Sequence, residues 1–199
     1  MGGKAMSSLI KVVQPNSEPV ALFEAQLHLR LDTEGSPATH PDDFLVENLI
    51  SAARENAEQY TNLTISPCTY QMQTVVDKDY VSLQTFPVTS VASVTYVDGD
   101  GVTQTVAPST YTINNYYRPS RLYFTGAIPP NEVTIQFTAG YTDRQNINNF
   151  PTPSSVVAAI LLMIGNLYEN RETVSSIESF ERPQSAIYLL TPHRINMGL

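Results

Sequence analysis

The side chains that most often carry chemistry are few and scattered in this sequence. The three histidines, His28, His40 and His193, lie far apart and have no cysteine partners at zinc-site spacing. The single cysteine, Cys68, excludes an internal disulfide, and a small buried hydrophobic residue is the simpler interpretation than a nucleophile. No P-loop, dinucleotide-binding or G-x-S-x-G motif occurs. The sequence therefore predicts no catalytic residues, no cofactor and no metal.

Two acidic stretches could in principle bind a cation. DGDG at 98–101 is similar to a calcium loop, but the twelfth position counted from Asp98 is Ser109, which cannot supply the required carboxylate. Asp77 and Asp79 flank Lys78 in a turn-like stretch. We interpret both as solvated turns, and VTYVDGDGVTQTV as a β-hairpin closed by residues 98–101.

Tyrosine is the abundant aromatic residue, with 11 copies in the chain. Tyr116, Tyr117 and Tyr123 could grip a sugar or a partner protein. The competing interpretation is a loop that packs on its own sheet. A binding module for carbohydrate or receptor therefore remains an alternative, and a small hydrolase with an unrecognised site remains a third.

Composition sets limits on the partners. The chain has 199 residues, 42% hydrophobic and 15% charged, with a net charge of −8. This suits one large domain whose weakly charged surface is partly covered by partners. The acidic balance argues against coating nucleic acid by counterion release. The N-terminal residues lack the apolar run of a signal peptide, and we expect no membrane association.

The periodicity predicts an α+β fold: a small helical bundle, an inserted antiparallel β lobe and an extended C-terminal tail. Residues 18–31 indicate a short helix and residues 40–62 an amphipathic one, with Arg54 on its outer side. From 67 to 141, short β-branched runs alternate with turn formers. The expected units are an N-terminal arm (1–17), a helical body (18–65 and 143–172), an inserted β domain (66–142), and a linker with C-terminal tail (173–199).

AILLMIGNLYENRE at 159–172 belongs to a helix expected over 154–169, with Thr152 as N-cap and Pro153 as first helical residue. The apolar run from Val156 is too short for a bilayer. A helix apolar on every side must be covered on every side. Either a neighbouring subunit covers one face, or the chain buries the helix completely. We predict subunit contact through Val156, Leu162, Met163, Leu167 and Arg171.

Five stretches occur in the order seen in a known family. They are PVALFEAQLHLRLD, FLVENLISAARENAEQYTN, the β segment ending in VTIQFTAGY, PSSVVAAILLMIGNLYENRE and AIYLLTPHR. Together they resemble the head–tail connector (adaptor, or head-completion) proteins of tailed bacteriophages, over roughly residues 18–194. Ala21 stands where that family often has a capping Ser or Thr, and His193 where it usually has Tyr.

The resemblance implies a non-enzymatic virion protein of the neck, present in the host cytoplasm during assembly. Its copies would form a ring, commonly a dodecamer, beneath the portal protein. The ring would extend the channel through which DNA passes without specific binding, and would dock the next neck or tail protein. The family's C-terminal segment typically engages the portal, which here corresponds to Ile187, Leu189, Leu190, Pro192 and Arg194. We expect that deleting residues 183–199 leaves the monomer folded.

Overall fold

The computed structural model describes residues 8–15, 17–32, 39–129, 132–142, 150–170 and 183–196. Among these described residues, four α-helices form the body: α1 (Leu22–Leu29), α2 (Asp43–Thr61), α3 (Ser154–Glu169) and α4 (Gln184–Leu190). A 3₁₀ turn at Thr191–His193 follows α4 directly. Tyr168 near the end of α3 packs on this body and donates its hydroxyl to Asp42 Oδ2 at 2.6 Å.

The part of the chain that the structure describes also contains eight strands, and their pairings are all antiparallel. A five-stranded sheet has the order β1-β2-β8-β4-β5, and a three-stranded sheet has the order β3-β7-β6. The predicted α+β class is confirmed. The strands are β1 (Ser8–Val13), β2 (Cys68–Val75), β3 (Tyr80–Ser82), β4 (Val88–Val97), β5 (Thr103–Thr105), β6 (Tyr111–Asn114), β7 (Arg121–Phe124) and β8 (Glu132–Ala139).

The strand β1 lies in the segment that the sequence analysis treated as an arm. It pairs with β2 from Ser8↔Gln73 to Val13↔Thr69, with an irregularity between Lys11 and Val13. Leu9 packs against the core of the β lobe, whereas Ile10, Val12 and Val13 are exposed. Residues 8–13 are therefore an edge strand of the larger sheet.

Two hydrophobic cores correspond to the two parts of the fold. The core of the body takes residues from α1 to α4, including Val46 and Ala53 of α2 and Ile160 and Ile164 of α3. The core of the β lobe lies between the two sheets and takes Leu83, Leu122, Val133, Ile135 and Phe137. Each core residue named here is at most 2% exposed in the single chain. Both parts therefore bury apolar side chains without help from a partner.

The helix α3 has the predicted limits but not the predicted cap. Pro153, not Thr152, occupies the N-cap position, and no side chain caps the helix. The hydroxyl of Thr152 instead donates to the carbonyl of Thr142 at 3.3 Å, and so does its backbone N–H. Thr152 is thus a bridge between the end of β8 and the start of α3.

The predicted hairpin at residues 98–101 is confirmed. The N–H of Gly101 bonds the carbonyl of Asp98, and the N–H of Asp98 bonds the carbonyl of Val102. One carboxylate oxygen of Asp98 accepts the N–H of Asp100 at 3.1 Å and that of Val102 at 2.9 Å. The acidic residue thus fixes the turn between β4 and β5, as Asp commonly does in tight turns.

Gly140 has a conformation that only glycine adopts readily, with φ at +131°. A Cβ there would lie 2.7 Å from the backbone of Pro67, so no side-chain movement can relieve the contact. We expect Gly140→Ala to lower the free energy of unfolding by more than about 1 kcal/mol. Gly99→Ala is the control, since a Cβ at Gly99 meets nothing within 4 Å. Urea titrations of both variants test this, and equal midpoints would contradict it.

Candidate functional site

The described residues contain no group of three His, Cys, Asp or Glu side chains that could hold a metal. Cys68 is buried, and its thiol donates to the carbonyl of Ser66 at 3.0 Å. Burial raises the pKa of this thiol, which keeps it protonated and weakly reactive. The prediction that Cys68 is buried is confirmed.

A serine–histidine pair does occur, at the contact between α3 and the turn after α4. The Oγ of Ser155 lies 2.7 Å from Nε2 of His193. Burial and the charge of Arg118 lower the pKa of His193, which favours the neutral ring. Within the described ranges, no carboxylate bonds the other ring nitrogen to orient it as a base. We interpret the pair as a tether of the C-terminal segment.

The residues of α3 that were predicted to contact a neighbouring subunit differ in how far the single chain buries them. Val156 and Met163 are buried in the body core, at 0% and 3% exposure. Leu162 is half-buried and packs against the body core. Leu167 is also half-buried, and it does not belong to either described hydrophobic cluster. Arg171 lies outside the described residues.

In the part of the chain that the structure describes, no helix is long and apolar enough to cross a membrane. The apolar character of α3 is explained instead by burial, since Val156, Val157, Ala159, Ile160, Met163 and Ile164 all face the body core. Of the two possibilities left open by the sequence, burial within one chain accounts for most of this helix.

The C-terminal segment is folded onto the body as far as it is described. Ala186, Leu190 and Ile195 are buried in the body core. The N–H of Ile195 donates to the carbonyl of Thr61 at 2.7 Å, and Asn62 Nδ2 donates to the carbonyl of Ile195 at 2.9 Å. Residues 183–196 therefore form part of the folded body and differ from the extended tail that the sequence suggested.

The residues predicted to bind the portal are divided between core and surface. Leu190 is fully buried, and Leu189 packs partly against the body core. Ile187 is half-buried, whereas Pro192 and Arg194 are exposed. The guanidinium of Arg194 lies 5.4 Å from the ring centre of Tyr60 on α2. The part of this segment that a partner could touch is therefore the outer side of α4 and the turn after it.

The tyrosines proposed for the alternative binding function lie on the β lobe. Tyr116 is 97% exposed, in the loop between β6 and β7. The guanidinium of Arg121 lies over the ring of Tyr117, with 3.9 Å between Cζ of Arg121 and the ring centre. Tyr123 packs on Tyr80 with 5.3 Å between ring centres. Tyr117 and Tyr123 thus pack on their own sheet, as the competing interpretation expected.

A buried ion cluster, which the sequence does not predict, lies at the junction of body and β lobe. Arg54 was expected on the outer side of α2 but is 3% exposed. Its guanidinium binds Glu18 at 2.8 Å and Glu58 at 3.1 Å. The other oxygen of Glu58 accepts the backbone N–H groups of Ile65 and Ser66 at 2.8 and 3.3 Å. The cluster therefore ties α2 to the segment before α1 and to the entry of the lobe.

The electrostatics of this cluster favour ionised groups despite burial. Burial acts to lower the pKa of Arg54, but the hydrogen bond with Glu18 and the charges of Glu58, Glu18 and Glu55 outweigh it and raise the pKa. A charge in such a place must be paired. The pairing with Glu18 joins residues 36 positions apart, which no local pattern in the sequence reveals.

No family model and no curated protein matches this chain. Solved structures do match it, and three of them align with 96% of this chain and with 97% of their own length. They are chains from the neck of an empty gene transfer agent (GTA) particle computed with C6 symmetry (22% identity, TM-score 0.75), from the virion of a native GTA particle (22%, 0.71), and from the neck of a native GTA particle computed with C12 symmetry (20%, 0.70).

Because the two lengths match almost completely, the likeness covers body and β lobe together. At these identities it establishes the fold. It also agrees with the resemblance to phage connector proteins, which was based on five stretches spread over the same length. The chain has the fold of a chain found in the neck of gene transfer agent particles.

Proposed function

We propose that this protein is a structural neck component of a tailed phage or phage-like particle. The observation that supports this most strongly is the full-length likeness to chains of the GTA neck. We propose a structural, non-catalytic role because the matching chains come from the neck and virion of gene transfer agent particles. Its place would be the head–tail interface of the virion.

The finer proposal is that copies of the chain form a ring beneath the portal protein, extending the DNA channel and docking a downstream neck or tail protein. The C6 and C12 symmetries of the matching neck structures support a ring. We assign Leu167, together with the half-buried Leu162 of the same helix, to the contact between copies. We assign the exposed side of the C-terminal segment, with Ile187, Leu189, Pro192 and Arg194, to the portal, while Leu190 holds that segment in place.

The net charge agrees with this role. Each copy carries −8, so a ring would place strongly acidic protein around the DNA. Repulsion between that protein and the phosphates would let DNA pass without specific binding.

Negative-stain imaging and native mass spectrometry of the purified chain, alone and with the portal protein of the same genome, test the proposal. We expect closed rings, either alone or on the portal. A chain that stays monomeric in both conditions would refute the ring. Addition of the chain to particles that lack it should restore the attachment of the downstream protein, and failure there would refute the neck role.

The proposed contact between copies makes a prediction about α3. We expect Leu167→Asp to weaken ring formation at least about tenfold, because a carboxylate would have to be desolvated in the contact. Its effect on the free energy of unfolding should stay below about 1 kcal/mol, since Leu167 belongs to neither core.

Leu161→Asp is the matched control, because Leu161 is a half-buried leucine of the same helix that does pack against the body core. It should destabilise the monomer more than Leu167→Asp does. Sedimentation and urea titration of both variants check this. Undiminished ring formation by Leu167→Asp would remove Leu167 from the contact.

A further inference from the structure

The outer face of the three-stranded sheet carries a cation held between aromatic rings. Val81, Leu122 and Phe124 point into the lobe and are buried, so Tyr80, Arg121 and Tyr123 alternate with them on the opposite face. The guanidinium of Arg121 lies 3.9 Å from the ring centre of Tyr117 and 4.5 Å from that of Tyr80. We call Tyr80, Tyr117, Arg121 and Tyr123 the tyrosine–arginine face.

The rings orient Arg121 without neutralising it. Within the described residues, every ion pair of an Arg or Lys with a carboxylate involves Arg54 or Lys11, so Arg121 has no such pair. A hydrogen bond with Tyr123 raises the pKa of its guanidinium. A planar guanidinium stacked on aromatic rings keeps N–H groups at its edge, and their geometry matches a carboxylate or a phosphate. The face is thus a prepared site for an anion flanked by apolar surface.

The turn between β4 and β5 has the complementary character. Asp98 is occupied in holding the turn, since its second oxygen also accepts Gln104 Nε2 at 2.8 Å. Asp100 lies at the exposed end of the same turn. Val97 and Val102, on either side, are 49% and 54% exposed. A rigid hairpin tip therefore presents a carboxylate between two exposed apolar side chains.

We propose that the tyrosine–arginine face of one copy binds the Asp100 hairpin tip of a second copy of this chain. The carboxylate of Asp100 meets the guanidinium of Arg121, and Val97 and Val102 cover the tyrosine rings. Because the two surfaces differ, the contact is head-to-tail, the type of interface that closes into rings. The inference rests on the proposed ring and adds a contact through the β lobe to the one through α3.

Charge reversal tests this contact. Arg121→Glu and Asp100→Arg should each weaken association between copies at least about tenfold, since each places like charges opposite one another. Asp100 is exposed and Arg121 belongs to neither hydrophobic core, so thermal melts should show that both variants are folded, with at most a small loss in Arg121→Glu from its contacts with Tyr80 and Tyr117. The double variant, Asp100→Arg with Arg121→Glu, should recover ring formation, because the reversed pair is again complementary.

Mixing the two single variants shows whether the pairing is between copies. In an alternating ring, each Asp100→Arg tip faces a glutamate at position 121, and each unaltered tip faces an unaltered Arg121. We therefore expect the mixture to form rings that neither variant forms alone, with equal amounts of both chains by native mass spectrometry. Arg118→Glu is the control, since the Arg118 guanidinium lies over Phe86 instead, 4.6 Å from its ring centre.

Each other outcome overturns the contact. If both single variants form rings as the wild type does, the ring stands and this pairing is wrong. If Arg121→Glu loses binding to the portal or to DNA while Asp100→Arg behaves as wild type, the face serves another anion. If the wild type forms no ring under any condition, the ring proposal itself fails and this contact with it.

Discussion

Replacing Leu190 with alanine is expected to lower the free energy of unfolding by about 2–5 kcal/mol, the usual cost of removing a buried leucine side chain. Leu190 is the last residue of α4, and its side chain is fully buried in the body core. The matched control is Tyr188→Ala two positions away, where the side chain is 70% exposed and the change should stay within about 0.5 kcal/mol. Urea unfolding followed by circular dichroism measures both.

This result would also correct the expectation that residues 183–199 can be deleted without harm. Ala186, Leu190 and Ile195 leave the body core together in such a deletion. The truncated chain should therefore unfold far more easily, and its failure to dock would say nothing about the portal. Substitutions at Arg194 and Pro192, on the surface of the same segment, are the proper test of docking. A Leu190→Ala variant as stable as Tyr188→Ala would show that α4 does not stay on the body in solution.

Arg54→Met should lower the free energy of unfolding by about 3 kcal/mol, because it removes the closest cation from the largely buried Glu58 and leaves that carboxylate only the longer contact with Lys11 at 3.8 Å. Glu58 is the group most affected, as its side chain is only 11% exposed. Glu55→Gln is the matched control: Glu55 also contacts Arg54, but its side chain is 62% exposed, and the loss should be below about 1 kcal/mol.

The salt dependence of the destabilisation distinguishes a buried ion cluster from a solvent-exposed one. The loss in Arg54→Met should persist at high ionic strength, since buried charges are screened much less than exposed ones. A loss that is small at low salt and vanishes at high salt would show that Arg54 is solvated, as the sequence analysis expected. Near-ultraviolet circular dichroism of the tyrosines would show whether the junction between body and lobe loosens in the variant.

The elements that could be predicted from the sequence are those whose signals are local. Helix α3 has the limits expected from its apolar run, and the hairpin at residues 98–101 follows from its Asp and Gly residues. The strand β1 was missed because Ile10, Val12 and Val13 are exposed at a sheet edge, so the run SLIKVV has no polar outer face to reveal it.

The features that could not be predicted depend on partners distant in the chain. Thr152 has the sequence signature of a helix N-cap, but its hydroxyl donates a hydrogen bond to the carbonyl of Thr142 instead. The sequence pattern places Arg54 on the outer side of an amphipathic helix, because it does not show that Glu18 accepts a hydrogen bond from the Arg54 side chain. Val156 and Met163 look available to a neighbouring subunit because the sequence does not show that the same chain buries them in the body core. In each case the local sequence pattern is compatible with two placements of the side chain, and the tertiary contacts decide between them.

The last turns of α2 contact residues near both ends of the described chain. Lys11 on β1 reaches Glu58 with 3.8 Å between Nζ and Oε2, and Ile195 donates its N–H to Thr61. A pull on the N-terminal strand and a pull on the C-terminal segment therefore arrive within a single helical turn of one another. Tension applied between these two ends would therefore load that turn of α2 together with the pairing of β1 and β2, so the end of α2 and the edge of the β lobe would bear it jointly.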